Sequence, residues 1–201
     1  MNEQTHLILH AVAVKKHAAA AAVADLLGAD LDTVTAHLGH ATTSGRATEV
    51  AGKFLLTPAG RMIVESNYSL HYAAARADQD VNAAHGRFET VNHELKQLIT
   101  AWQLVMVGGQ SVANDHSDAA YDEKLVARLG KLHDKVVPIL AALALVVPRF
   151  ERYIANLQFA LERAEHGERA WVSDATLASY HTVWFELHED LLRVLGRARE
   201  E

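Results

Sequence analysis

The chain contains no cysteine. Disulfides, thiolate nucleophiles and cysteine-ligated zinc or iron–sulfur centres are therefore excluded. Proline is scarce, with three residues in 201, so each one says something about where a helix starts or stops. Positive charge is also short: 19 Lys and Arg face 25 Asp and Glu, for a net charge of −6. That balance argues against general affinity for nucleic acid. No apolar run is long enough to cross a bilayer; Val136–Val147 is too short and contains Pro138. The opening Met1-Asn-Glu-Gln-Thr5 has no basic segment leading into an apolar one, so no secretory signal is expected. A cytoplasmic protein without membrane contact is the expectation.

Half of the residues are hydrophobic, and 201 residues suffice for one large domain or two small ones with a sizeable core. The organising stretch is Phe54-Leu-Leu-Thr-Pro-Ala-Gly-Arg61. Its apolar start suits the end of a strand. Thr57 then offers a hydroxyl as a helix N-cap, and Pro58 stands at the first helical position, where its missing N–H costs nothing.

Before this junction, periodicity predicts three short helices: about residues 4–16, then Ala18–Leu27, then Asp32–Thr43. The five consecutive alanines Ala18–Ala22 favour the second helix, and Gly28 stops it. Arg46–Val50 and Lys53–Leu56 are strand candidates joined by Ala51-Gly52. Three helices, a hairpin and a helix make the order of a winged helix. The hairpin followed by Leu56-Thr-Pro-Ala-Gly-Arg61 resembles the MarR-like winged-helix proteins over residues 4–65. The resemblance implies a helix-turn-helix with Asp32–Thr43 as recognition helix and Arg46–Phe54 as wing. It implies DNA contacts from Thr33, Thr35, His37, Arg46, Lys53 and Arg61.

After the junction, helices without further strands are expected. One spans Thr57–Ala77, weakened near Asn67 and Ser69. A second runs from Asp78 or Asp80 to about Val105, with Val81, Phe88, Leu95, Ile99 and Trp102 inward. Val107–Ser117 reads as a loop, because Gly108, Gly109, Asn114 and Asp115 are turn formers. A third helix is capped by Ser117 or Asp118. Pro138 and Pro148 predict helix starts near 138 and 149, and Ser173 or Asp174 should cap a last helix to about Arg197. The fold class is thus mainly α: a winged helix at 1–65, then an α-helical bundle at 66–201, with the linking helix at about 57–77 shared between them.

Thirteen histidines raise the question of a site. Asn92, His93, Asp115, His116, His181, Glu186 and His188 are the candidates for a polar pocket in the helical half. Imidazole can orient an anion or move protons near neutral pH. The plainer alternative is that His181 and His188 are core histidines, and that Asn114 and Asp115 bond their own backbone. No catalytic signature is present. No metal or cofactor is expected, as there is neither a thiolate nor a His-Glu-x-x-His helix. Trp102-Gln103, Asn114–Asp118 and Tyr180–Asp190 resemble segments of actinobacterial proteins related to pyruvate phosphate dikinase-like phosphotransferases.

Three functions fit these features. The first is a transcription regulator, with DNA as partner and the helical half dimerising or sensing a ligand. The second is an accessory module that contacts a partner protein, with a phosphotransferase as one candidate, and does not bind DNA. The third is an enzyme using a histidine-lined pocket.

Overall fold

In a computed structural model, residues 1–198 are described. The first helix, α1 (Glu3–Lys15), is capped by Asn2, whose side chain accepts from the Thr5 amide at 2.8 Å. The next, α2 (Ala20–Leu27), ends at Gly28 in the left-handed conformation. Asp30 caps α3 (Leu31–Thr43) by accepting from the Thr33 amide at 2.9 Å. Val34, Leu38 and Ala41 form its buried stripe.

Strands β1 (Ala47–Val50) and β2 (Lys53–Leu56) pair antiparallel, with Val50 opposite Lys53. Ala51 and Gly52 both have positive φ, the twist of a tight two-residue hairpin. Ala18 adds one bridge to β2, through paired backbone bonds with Phe54 of 3.1 and 2.8 Å. Thr57 caps α4 (Pro58–His71) as its position predicts, accepting from the Gly60 amide at 3.1 Å. Its hydroxyl also donates to the Gly45 carbonyl at 2.7 Å, which ties the helix start to the end of α3. The protein is mainly α-helical, with a winged helix first and a helical bundle after it.

A short helix, α5 (Ala73–Ala77), follows α4 after a break at Tyr72. The break does not fall at Asn67–Ser69. Asn67 bonds back to the Ile63 carbonyl at 2.8 Å and holds the helix there, whereas Tyr72 leaves helical dihedrals with its ring buried. Contacts group residues 1–78 with those from Glu186 onward as one unit, and 79–185 as another. The boundary expected from sequence, at residue 65 within a shared linking helix, falls in α4.

The second unit contains α6 (Gln79–Gln103), β3 (Leu104–Val107), β4 (Gln110–Ala113), α7 (Ala119–Ala144), α8 (Phe150–Glu165) and α9 (Ala170–Ser173), and it takes in the start of α10 (Tyr180–Leu195). Helix α6 packs on α7, and α7 on α8. Three expectations are overturned here. The segment read as a loop holds a hairpin: β3 and β4 pair antiparallel with Val107 opposite Gln110. Gly108 and Gly109 take φ of 58° and 84°, which a tight turn with two positive φ values requires. Pro138 does not start a helix but sits inside α7. The buried stripe continues through Leu132, Val136, Leu140 and Leu143 and outweighs the local cost of about 3 kcal/mol. The Asp134 carbonyl, which Pro138 cannot bond, lies on an exposed stretch where water can serve it. Asp174 does not cap the last helix; it accepts from the Thr176 amide at 2.7 Å in a turn. Ser179 begins α10 instead, its hydroxyl accepting from the Thr182 amide at 3.3 Å.

Candidate functional site

In the first unit, the outward face of α3 carries Asp32, Thr35, Ala36, Gly39, His40 and Thr43, all exposed. Its threonine hydroxyls turn inward along the helix. Thr35 donates to the Leu31 carbonyl at 2.8 Å, Thr43 to the Gly39 carbonyl at 3.0 Å, and Thr33 to the Asp30 carboxylate at 2.9 Å. His37 is half-buried, with Nδ1 3.2 Å from the Thr5 hydroxyl. Of the cations, Lys53 and Arg61 are exposed and Arg46 is half-buried. The face is small-featured and open, and α3 itself carries no Lys or Arg.

The same unit holds a polar network that sequence reasoning missed. His10 Nδ1 is 2.8 Å from the Tyr68 hydroxyl, and His10 Nε2 is 2.9 Å from Asp190 Oδ1. With a neutral imidazole, Nε2–H donates to the carboxylate and Nδ1 accepts from the tyrosine. The order is that of a catalytic triad, but His10 and Asp190 are 0% exposed. Burial also raises the Tyr68 pKa, with Arg193 opposing it, so the phenol stays protonated. The arrangement joins α1, α4 and α10 and offers no reacting atom to solvent. His6 stacks on His71 at 4.3 Å beside it. His6 and His10 stand four residues apart on α1, the spacing of a helical metal pair, and this was the one available signal. Among the described residues, no group of three or more His, Asp or Glu side chains comes together to hold a metal ion.

In the second unit, the return from the β3–β4 hairpin shapes a different cluster. Asn114 Oδ1 accepts from the His116 amide and Asp115 Oδ1 from the Ser117 amide, both at 3.0 Å. These are the backbone-bonding turns that Asn and Asp favour. The Ser117 bonds also lower the Asp115 pKa. His116, held at φ 58°, directs Nδ1 to the Asp122 carboxylate at 3.0 and 3.1 Å. Its ring lies 4.6 Å from that of Trp102. Arg169 Nε approaches Asp122 Oδ2 at 3.2 Å, and its Nη1 donates to the His116 carbonyl at 2.8 Å. Asp122 is buried, at 5% exposure, so a histidine and an arginine serve a carboxylate that water scarcely reaches. These groups border a cavity of about 360 Å³ lined by Trp102, Asp122, Glu123, Val126, Glu165 and Arg169, among others.

The other pocket candidates lie apart from it. Asn92 is buried and accepts from Trp184 Nε1 at 2.9 Å, which makes it a core partner of the tryptophan. His93 is exposed on α6, 2.9 Å from Gln97. His181 is half-buried at the start of α10, and burial lowers its pKa. Glu186 and His188 belong to the first unit, where Glu186 accepts from Lys15 at 2.7 Å and His188 is buried. Of the seven, His116 alone stands beside the cavity's acidic wall, through Asp122. Comparison with protein-family models, curated proteins and solved structures gave no match. Among the described residues, no helix is long and apolar enough to cross a membrane.

Proposed function

We propose that the protein is a winged-helix transcription regulator, MarR-like in its first unit, whose second unit dimerises or senses a ligand. The observation that carries this reading is the open outer face of α3, which stands where a winged helix reads the major groove. Small side chains there let the helix backbone come close to base edges. Lys53, Arg46 and Arg61 supply phosphate contacts beside it. Residues 1–65 carry five basic and six acidic residues, so affinity is weak and depends on doubling those three cations in a dimer.

A titration of duplex DNA across salt concentrations tests the proposal. Six phosphate contacts give a slope of log affinity on log salt no steeper than about −5. Arg46→Ala and Lys53→Ala weaken binding to all sequences alike. No binding at low salt defeats the reading. It leaves a module that contacts a partner protein, which the lack of Lys or Arg on α3 favours.

A further inference from the structure

We infer that the second unit forms a homodimer by pairing strand β4 of one copy with β4 of another, antiparallel and centred on Val112. The inference rests on reading this unit as the dimerising one and names its surface; it is measured without DNA, so it and the DNA reading can fail separately. The β3–β4 hairpin is a two-stranded sheet by itself, and none of residues 104–113 is buried. Met106 and Val107 are 68% and 61% exposed, and Leu104 and Val112 are 42% and 40% exposed. A hairpin with both edges open is marginal in water and gains stability from further strands. Open edges in natural proteins commonly carry charge that keeps other chains off. Here residues 97–114 contain no Asp, Glu, Lys or Arg, the longest such stretch of the chain.

The register decides which backbone groups face outward. Val107 and Gln110 close the turn, and the Asn114 amide donates to the Gln103 carbonyl at 2.8 Å. Alternation between these ends makes Val105 and Val112 a bonded pair and turns the N–H and C=O of Ser111 and Ala113 outward. On β3 the outward positions are Leu104 and Met106, and Leu104 follows directly on the last turn of α6, so β4 has the clearer edge. Pairing about a two-fold axis matches Ser111 with Ala113 of the second copy, and Ala113 with its Ser111, through four backbone hydrogen bonds. Val112 meets Val112 of the second copy across the axis. Directly opposed residues share a face, so Val105 and Val112 of both copies make a row of four valines. The partner is a second copy because this contact is self-complementary. Two chains of net charge −6 also repel each other least where neither carries charge. Strands of four residues bury less than the about 1,200 Å² of standard interfaces, so the dimer is a weak one.

Analytical ultracentrifugation of the full chain is expected to give a dimer Kd on the order of 50 μM. Ser111→Pro removes an outward N–H and keeps the bonds within the hairpin, so the monomer's melting profile stays intact. Its Kd is expected to rise at least about tenfold. The chain has no cysteine, so Val112→Cys introduces a single thiol. Opposed residues of a non-hydrogen-bonded pair have Cα atoms about 4.5 Å apart, within reach of a disulfide. Mild oxidation is expected to link two copies at least about tenfold faster in Val112→Cys than in Met106→Cys, although Met106 is the more exposed position. A chain that stays monomeric at about 1 mM, well above the expected Kd, overturns the inference. So does a dimer whose Kd is unchanged in Ser111→Pro, or equal cross-linking of the two thiols. Either of these leaves a dimer formed through another surface, whereas failure to bind DNA leaves the β4 contact untouched.

Discussion

Replacing Gly60 by alanine tests how the junction between wing and α4 is built. Gly60 is helical and lies in the first turn of α4, where alanine would ordinarily raise helix stability by up to about 1 kcal/mol. Here a Cβ would stand 1.9 Å from the Arg46 carbonyl oxygen and 2.9 Å from its carbon. The obstacle is backbone, so no rotamer change relieves it. The oxygen would have to retreat by about 1.1 Å to reach even the 3.0 Å limit of real contacts. That carbonyl also accepts from the Thr57 amide at 3.0 Å and from the Thr57 hydroxyl at 3.2 Å. Retreat therefore loosens the cap as well. Overpacking of about 1–3 kcal/mol plus a weakened pair of hydrogen bonds, less the propensity gain, leaves a loss of about 2–4 kcal/mol. Gly39 is the control. It is helical too, and nothing lies within 4 Å of its Cβ position, so Gly39→Ala should be neutral or stabilising. Urea unfolding followed by circular dichroism measures both. Equal midpoints for Gly60→Ala and the parent would refute the close approach on which the junction depends.

Four further outcomes follow from the packing. Trp184→Ala should cost about 3–5 kcal/mol in thermal or urea unfolding, because the ring is buried against Phe88 at 5.0 Å. Trp184→Phe should cost about 1–3 kcal/mol, since it keeps a ring but leaves the buried Asn92 oxygen without its donor. Tyr68→Phe should likewise lower stability by about 1–3 kcal/mol in urea unfolding, by leaving His10 Nδ1 without the phenol hydroxyl. Burial lowers the His133 pKa below 6.5, with a Gln158 bond opposing it, so the unfolded chain takes up that proton at higher pH than the folded one. Stability is then full above about pH 6.5 and falls as the pH drops below it; melting temperatures across that range should fall less steeply in His133→Gln.

The winged helix was legible because each of its boundaries has a local cause. Asp30, Thr57 and Gly28 cap their helices through bonds or dihedrals that residue type alone suggests. The β3–β4 hairpin was hidden because Leu104 and Val105 continue the apolar steps of α6. Val-Met-Val before Gly108-Gly109 was the overlooked sign, as β-branched residues flanking two glycines favour a tight hairpin. Pro138 misled because its local cost is smaller than the burial gained by extending α7. The His10–Asp190 bond spans 180 residues, and no periodicity reports a contact of that range. Asp122, which gathers His116 and Arg169, read as an ordinary first-turn acid of α7. Its role depends on α9 and the hairpin return arriving beside it.

The proposal that α3 and the wing contact DNA is tested most directly by amide chemical shifts of the full chain, with a short duplex added at low salt. The account predicts perturbations concentrated in Leu31–Thr43 and in the wing at Ala47–Leu56, fading as salt rises. Perturbations confined to residues 79–185, or none at any duplex concentration, would contradict it.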